Sequence, residues 1–226
     1  MKAGNHTYAH PDDLPQVIPV FPLPGGLLLP RAEMPLNIFE PRYVAMTEDA
    51  LGHGRMFGMI QPDPTLPETD AGPGLFRVGC LGRLSSFSET DDGRYLITLT
   101  GVIRFAIAGE IDMRRGYRRV HADFTRYLAD LDLERNAQQL GAGRDTLLAA
   151  LRVYFTHRGF DANWDAIKRL ADDMLIITLA MVCPFEPAEK QALLEAPDDT
   201  ERAATLLTLL QMGAMSQDTP GGRSVS

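Results

Sequence analysis

Cysteine is scarce in this chain: only Cys80 and Cys183 occur among its 226 residues. Two cysteines exclude a disulfide-rich scaffold and a cysteine-rich zinc site, and they suit a reducing compartment. Long apolar runs are also missing, because the most apolar stretch, residues 174–183, has about ten residues and a membrane-spanning helix needs about 20. We therefore expect no contact with a membrane, and this stretch predicts a buried core helix.

The sequence motifs of several enzyme classes are absent. There is no phosphate-binding G-x-x-x-x-G-K-[ST] loop, no H-E-x-x-H metal motif and no C-x-x-C pair. The segment Gly141-Ala142-Gly143 lacks the third glycine of a dinucleotide-binding fingerprint. His6 and His10, four residues apart, lie in a polar N-terminal segment. We therefore expect no cofactor, no metal site and no enzymatic activity.

The overall composition is that of an ordinary globular chain. Hydrophobic residues make up 45% of the sequence and charged residues 23%, and the length fits one large domain or two small ones. The net charge is −8, from 22 basic and 30 acidic residues, so nonspecific binding to nucleic-acid phosphates is disfavoured. The start of the chain has no apolar signal-peptide core, so we expect a cytoplasmic protein.

The first half of the chain is typical of β-structure. The prolines that recur between residues 17 and 41 exclude a helix there and indicate short strands at edges or bends. Further apolar strand segments follow up to residue 127, and Gly101 is predicted to break one of them. One helix is predicted from Pro41 to Gly52, and residues 61–74 are predicted to form a long proline-rich loop.

The second half changes to a helical period. Leu147, Leu151 and Tyr154 lie on one helical face, and a weaker helix is predicted around residues 131–140. Asn163 or Asp161 is a candidate N-cap, and Asp198 with Glu201 resembles a capping box. We therefore predict an α+β chain with the following parts: a flexible leader (1–16), a β subdomain (17–127), an α-helical subdomain (128–215) and a flexible tail (216–226).

Several short segments, taken in order, resemble the motifs of one known family. They are Ile18–Pro24, Leu27–Pro30, Met34–Tyr43, Val78–Leu84, Asp92–Tyr95, Leu99–Phe105, Lys190–Glu195 and Glu201–Ala203. The chain resembles the Lon protease N-terminal (substrate-binding) domain family over residues 17–210, which is nearly its whole length. The resemblance implies a PUA-like β pseudo-barrel followed by an α-helical bundle subdomain.

The resemblance does not imply protease activity. In full-length Lon proteases an ATPase module and a Ser–Lys protease module follow this domain, and the chain is similar to a stand-alone bacterial member without either module. Its only lysines are Lys2, Lys168 and Lys190. The last two are predicted to lie on solvated helical faces, where a lysine does not become a general base.

The implied function is recognition of unfolded or exposed hydrophobic polypeptide segments, by pairing at a strand edge and by shallow pockets. Leu28, Met34, Phe57 and Met59 are the candidate contact residues, since methionine surfaces adapt to varied partners. Packing in the core is the alternative role for each of them. A protease or a chaperone is expected as a further partner.

The matched segment Glu40-Pro41-Arg42-Tyr43 is predicted to be a structural motif at a strand-to-helix junction. The dipole of the helix favours the Glu40 carboxylate near its N-terminus. Arg42 is predicted to pair with an acidic or carbonyl group across the barrel, and Tyr43 to be a half-buried anchor. Ligand contact is the alternative role for these residues.

An RNA-binding module is the alternative function, because PUA-like folds elsewhere bind RNA. Its support is one dense basic cluster, formed by Arg114, Arg115, Arg118 and Arg119 around Tyr117. The other interpretation of this cluster is a solvated hairpin end, whose charges oppose strand-to-strand aggregation. The acidic net charge makes nucleic acid the less favoured partner.

Overall fold

The computed structural model describes residues 1–132, 140 and 143–215. Its strands are β1 (Lys2–Ala3), β2 (His6–Thr7), β3 (Val17–Pro22), β4 (Glu33–Ile38), β5 (Met56–Ile60), β6 (Val78–Glu89), β7 (Tyr95–Arg114) and β8 (Tyr117–Asp123). Its helices are α1 (Pro41–Gly52), α2 (Gly143–Arg158), α3 (Trp164–Arg169), α4 (Asp172–Val182), α5 (Pro187–Glu195) and α6 (Asp199–Met215), with 3₁₀ helices at Pro11–Asp13 and Thr125–Leu131.

Five of the strands close into a barrel. The order β7-β6-β5-β3-β8 returns to β7, because β8 pairs with both β3 and β7. The pairs are antiparallel except for β3 with β5, which is parallel, and β4 and α1 form the crossover that a parallel pair needs. Strand β4 lies outside this ring, where it pairs with the first half of β7.

Strand β7 runs through the position at which a break was predicted. The backbone of the loop before β4 binds both polar groups of Gly101: Arg31 N donates to Gly101 O at 2.8 Å, and Gly101 N donates to Ala32 O at 2.8 Å. A Cβ atom on Gly101 would lie 2.1 Å from the carbonyl oxygen of Leu29. The predicted break was wrong, because this glycine permits close approach of a loop rather than ending the strand.

The helices begin at the capping residues that the sequence predicted. Asn163 caps α3, since its Oδ1 accepts the N–H of Ala166 at 3.0 Å. Asp198 does the same for α6 through the N–H of Glu201 at 2.9 Å. Helix α1 has its predicted bounds, and the apolar stretch forms the core helix α4. Within the described residues no helix has the length and apolarity to cross a membrane.

A buried arginine joins the barrel to the helical part. Arg104 of β7 binds both carboxylate oxygens of Asp130, with N···O distances of 2.9 and 2.8 Å. Its Nη1 donates to the carbonyl oxygens of Leu194 and Ala196, at 3.1 and 2.6 Å, where α5 ends. The guanidinium also lies 4.8 Å from the centre of the Tyr127 ring. The buried charge is therefore well paired, which is the condition under which a protein interior tolerates it.

The first residues pack against the fold, so the prediction of a flexible leader over residues 1–16 is corrected. Met1, Ala3 and Tyr8 are at most 3% exposed and belong to the same apolar core as the barrel. The Tyr8 hydroxyl accepts a hydrogen bond from Arg83 of β6 at 3.1 Å. The sequence did not indicate this packing, because polar residues separate Met1, Ala3 and Tyr8.

The change from strands to helices falls between Asp123, where β8 ends, and Thr125, where a 3₁₀ helix begins. The division into two subdomains at residue 127 stays a prediction. One apolar core runs through both parts. The predicted tail over residues 216–226, and most of the predicted helix around residues 131–140, lie outside the described residues.

Candidate functional site

Three of the four predicted contact residues lie inside the core. Leu28, Phe57 and Met59 are 1%, 0% and 2% exposed. Phe57 and Met59 belong to β5, which is buried along its whole length in the barrel wall between β3 and β6. Their assignment as polypeptide contacts is corrected, because no surface of these side chains is open to a partner. They stabilise the barrel through apolar burial instead.

Met34, the fourth candidate, is half-buried on the edge strand β4. It pairs in register with Leu99 of β7, and β4 has no second neighbour among the described strands. The next residue, Pro35, lacks an N–H, as is typical of an edge strand that resists pairing with another chain. Met34 therefore stays a candidate contact, but its strand is poorly suited to strand addition.

A cavity of about 260 Å³ lies where the proline-rich segment meets the start of α1. We call it the proline groove. It is bounded by the end of β3 with the turn that follows, by the first turn of α1, and by the long loop between β5 and β6. Its lining residues are Phe21, Pro22, Leu23, Pro24, Glu40, Arg42, Tyr43, Pro62, Ala71, Pro73 and Arg118. Much of the matched motif at the strand-to-helix junction therefore faces an open groove.

The floor of the proline groove is aromatic. The rings of Phe21 and Tyr43 pack with their centres 4.1 Å apart, and both side chains are largely buried. Burial raises the pKa of the Tyr43 hydroxyl, so this residue stays neutral at physiological pH. The Arg42 guanidinium lies 4.6 Å from the centre of the Tyr43 ring. Tyr43 is thus an anchor that is buried more deeply than the sequence indicated.

The rim of the groove carries an exposed ion pair. Arg42 Nη2 lies 2.9 Å from Glu40 Oε2, and the two side chains are 47% and 45% exposed. The predicted pairing of Arg42 across the barrel was wrong, because Glu40, two residues earlier, supplies a local partner. An exposed pair of this kind contributes only about 0–1 kcal/mol to stability. Both charged groups can therefore exchange partners at little cost when another chain approaches.

Arg118 closes the groove from β8 and is buried. Its guanidinium binds the Glu110 carboxylate at 3.0 and 2.6 Å, and its Nη1 donates to the carbonyl oxygen of Pro73 at 2.6 Å. Arg118 thus holds the end of the long loop against the barrel. The groove wall formed by that loop is fixed by a charge-assisted hydrogen bond.

Acidic residues of α1 neutralise much of the remaining basic cluster. Arg115 binds Glu48 at 2.7 Å and Asp49 at 3.1 Å, and Arg114 lies 3.3 Å from the same Asp49 carboxylate. Nucleic-acid phosphates would have to displace these partners before they bound the arginines. The geometry therefore gives the RNA-binding alternative no support beyond the sequence pattern.

Lys190 does not lie on a solvated face, contrary to the prediction. Its Nζ donates to the carbonyl oxygens of Gly25 and Met181, at 2.9 and 3.4 Å, and so ties α5 to the turn beside the proline groove. Burial lowers the pKa of Lys190 and raises the pKa of the nearby Cys183 thiol to about 12. The lysine therefore has a structural role, because it holds α5 against the turn.

In the described part of the chain, no three metal-ligating side chains come together.

The barrel and the helical part together match one family description. The model of the ATP-dependent protease La (LON) substrate-binding domain covers residues 17–212. The chain belongs to the Lon substrate-binding domain family. Within this Lon domain, the proline groove is built by residues of the segments that resembled the family in the sequence, together with the long loop and β8.

The Lon domain is similar in sequence to one part of known Lon proteases. Lon protease 2 of Sorangium cellulosum is 31% identical in an alignment 209 residues long, which covers 85% of this chain and 24% of that protein. Lon protease 2 of Myxococcus xanthus is 24% identical in an alignment 212 residues long, which covers 88% of this chain and 24% of that protein. The chain thus spans about a quarter of the length of these relatives.

Two solved structures share the fold. A Lon N-terminal domain protein from Xanthomonas campestris has a TM-score of 0.60 at 19% identity, with 85% of this chain and 97% of that chain covered. The N-terminal domain of Mycobacterium avium complex Lon protease has a TM-score of 0.57 at 16% identity, with 86% and 97% covered. The predicted α+β fold, a PUA-like pseudo-barrel followed by helices, is confirmed.

Sequence reasoning missed two residues that shape the groove. Phe21 was part of a predicted strand, and Arg118 was part of the basic cluster. A signal was present, because the prolines of segments 17–41 and 61–74 lack a backbone donor and are typical of edges and bends. The pairing of β3 with β8 brings Arg118 between these two proline-rich segments. This non-local pairing is not visible in the sequence.

Proposed function

We propose that this Lon domain recognises extended, unfolded polypeptide segments and that the proline groove takes an apolar side chain of the bound segment. The observation that carries the proposal is the groove itself. Its aromatic floor and proline walls offer apolar surface, while the exposed Glu40–Arg42 pair at the rim offers a donor and an acceptor. Membership of a substrate-binding family supports the same conclusion.

The size of the proline groove favours a side chain over a cofactor. Its volume of about 260 Å³ lies below the roughly 300–1,000 Å³ of small-molecule pockets. Burial of one large apolar side chain contributes about 1.5–3 kcal/mol. The Arg42 guanidinium and the Glu40 carboxylate can bind the peptide C=O and N–H groups beside that side chain. We therefore expect micromolar binding with weak salt dependence, since the groove contacts apolar side chains and uncharged peptide groups of the segment.

The proposal is tested with a labelled protein that is kept unfolded by reduction and carboxymethylation, with its native form as the comparison. Fluorescence anisotropy should show saturable binding of the unfolded form only. An Ala71→Trp substitution places a large ring in the groove and should weaken this binding by at least about tenfold, because the loss of about 1.4 kcal/mol is tenfold in affinity. Arg42→Ala should weaken it by a smaller factor.

Matched controls separate the groove from general surface effects. Ala162 is as half-buried as Ala71 but lies before α3, so Ala162→Trp should leave the affinity unchanged. Arg94 forms an exposed pair with Asp92 at 2.9 Å, like that of Arg42, so Arg94→Ala is its control. Equal binding of native and unfolded protein, or full affinity in Ala71→Trp, would contradict the proposal.

We further propose that the domain acts without catalysis and delivers bound segments to a protease or chaperone. Support comes from the family, which is described as substrate-binding. In the anisotropy experiment, the labelled polypeptide should therefore be recovered uncut after incubation with ATP. The cytoplasm remains the proposed compartment, and both cysteines are buried and unpaired, as suits a reducing environment.

A further inference from the structure

A second and larger cavity, of about 500 Å³, lies at the C-terminal end of α1. We call it the N-terminal cleft, and its lining includes Tyr8, His53, Met56, Arg83, Tyr117 and Arg119. The N-terminal segment forms one wall, the end of α1 forms another, and barrel strands form the floor. The proline groove lies at the other end of the same helix, which is about 18 Å long at 1.5 Å per residue.

Two arginines of the N-terminal cleft contact only uncharged oxygens. Arg83 Nη1 donates to the Tyr8 hydroxyl and to the carbonyl oxygen of Gly54, both at 3.1 Å. Arg119 donates through Nε and Nη2 to the carbonyl oxygen of Asp112, at 3.0 and 2.9 Å. Among the described residues, neither guanidinium forms an ion pair, whereas Arg114, Arg115 and Arg118 each have a carboxylate. Both arginines are half-buried, so water screens their charges only in part.

The nearby carboxylates are largely committed to other donors. Asp13 accepts the backbone N–H groups of Ala9 and His10, at 2.8 and 2.9 Å. Asp49 accepts the Tyr117 hydroxyl at 2.7 Å, and that hydrogen bond holds the pKa of Asp49 below its usual range. Asp12 also lines the cleft, but it is exposed to solvent. Within the part of the chain that the structure describes, no carboxylate therefore neutralises Arg83 or Arg119.

The cleft also has an apolar wall. Val17 and Pro19 of β3 and Met56 of β5 line it beside the arginines. The volume of about 500 Å³ falls within the roughly 300–1,000 Å³ of small-molecule pockets. A ligand that matches both features has an apolar body and one anionic group, since guanidinium binds carboxylate through paired hydrogen bonds.

We propose that the N-terminal cleft is a binding site for a small organic carboxylate, whose charged group binds Arg83 and Arg119 while its apolar body lies on Val17, Pro19 and Met56. The carboxylate can belong to a free organic acid or to the C-terminus of a short peptide, because both present the same group. The site is separate from the proline groove, so it does not depend on the function proposed for that groove.

The test titrates the isotope-labelled full chain with phenylacetate and with the neutral phenylacetamide, followed by NMR. Phenylacetate should shift the Arg83 and Arg119 Nε–H signals in a saturable way, and phenylacetamide should not. Arg83→Gln and Arg119→Gln should each weaken phenylacetate binding by at least about tenfold, as expected for a lost charge-assisted hydrogen bond. Arg94→Gln, which removes an exposed arginine of the β6–β7 turn, should have no effect.

Separate arms distinguish the two sources of the carboxylate. A short peptide that ends in phenylalanine is titrated with a free C-terminus and with a C-terminal amide. Tighter binding of the free peptide than of phenylacetate assigns the site to chain ends, and the reverse assigns it to free acids. Ala71→Trp should leave either binding intact, which separates this site from the proline groove.

Three results would overturn the proposal. The first is the absence of saturable shifts with both the acid and the free peptide. The second is equal binding of phenylacetate and phenylacetamide, which would show that the charge is not recognised. The third is full affinity in Arg119→Gln, whose half-buried side chain can be changed without disturbing the core even if Arg83→Gln does not fold.

Discussion

Arg104 shows how one side chain can hold two parts of a fold together. It comes from the middle of β7, yet its partners lie in the 3₁₀ helix after β8 and at the end of α5. Removal of one member of a buried ion pair is costly because the other charge stays buried without a partner. The carbonyl groups of Leu194 and Ala196 would also lose their donor.

We predict that Arg104→Met destabilises the protein by about 3 kcal/mol, because the largely buried Asp130 carboxylate loses its ion pair and keeps the backbone N–H of residue 104. Methionine keeps most of the side-chain volume, so the effect reports the lost charge and hydrogen bonds. Urea denaturation followed by circular dichroism measures the change. Arg94→Met, at an exposed pair, should stay within about 0.5 kcal/mol of the parent. Equal losses in the two variants would contradict this view of Arg104.

At the scale of elements, β7 depends on a glycine for its contact with the loop before β4. The Leu29 carbonyl oxygen occupies the space that a Cβ atom at Gly101 would need, at a separation of 2.1 Å. That oxygen belongs to backbone, so it cannot swing away as the end of a flexible side chain can. Gly109 lies on the same strand, and a Cβ atom there would meet nothing within 4 Å.

Gly101→Ala is therefore expected to cost roughly 3 kcal/mol, since the loop or the strand must shift to relieve the contact. Gly109→Ala should leave stability unchanged or raise it by up to about 1 kcal/mol, because alanine restricts the unfolded chain. Thermal unfolding of the two variants gives the comparison. A similar loss at both positions would mean that strand conformation, and not the loop contact, requires glycine at residue 101.

Local signals in the sequence predicted which segments form helices and strands, but not which of their residues are buried. Pro41, Asn163 and Asp198 mark helix starts because capping depends on neighbouring residues in the sequence. Phe57 and Met59 show the opposite case, because they lie on a strand whose residues are all buried. Burial depends on partners distant in the chain, so the sequence pattern did not separate core from contact surface.

At the scale of the whole molecule, the sites also depend on contacts between segments that are distant in the sequence. The motif around Glu40, Arg42 and Tyr43 was found in the sequence, but the groove that it lines needs the long loop and β8 as well. The N-terminal cleft was missed because the first residues were interpreted as a flexible leader. Tyr8 and Arg83, which are 75 residues apart, meet there only once the barrel has formed.

The barrel and the helical part share one continuous apolar core and the Arg104 contacts. We therefore predict that they unfold in a single transition, although the sequence suggested two subdomains. The only tryptophan, Trp164 on α3, reports the helical part through its fluorescence. Amide signals of β6 and β7 in NMR spectra report the barrel. Urea titrations followed by the two probes should give the same midpoint.

The Arg104→Met variant gives a second test of the single unfolding transition. Because Arg104 holds both parts, its loss should lower the tryptophan and barrel midpoints together and by the same amount if the shared core still couples them. A tryptophan midpoint well below that of the barrel amides in the parent protein would contradict a single unit. The helices would then be a separate unit, the barrel would fold without them, and the boundary at residue 127 would be a true division between subdomains.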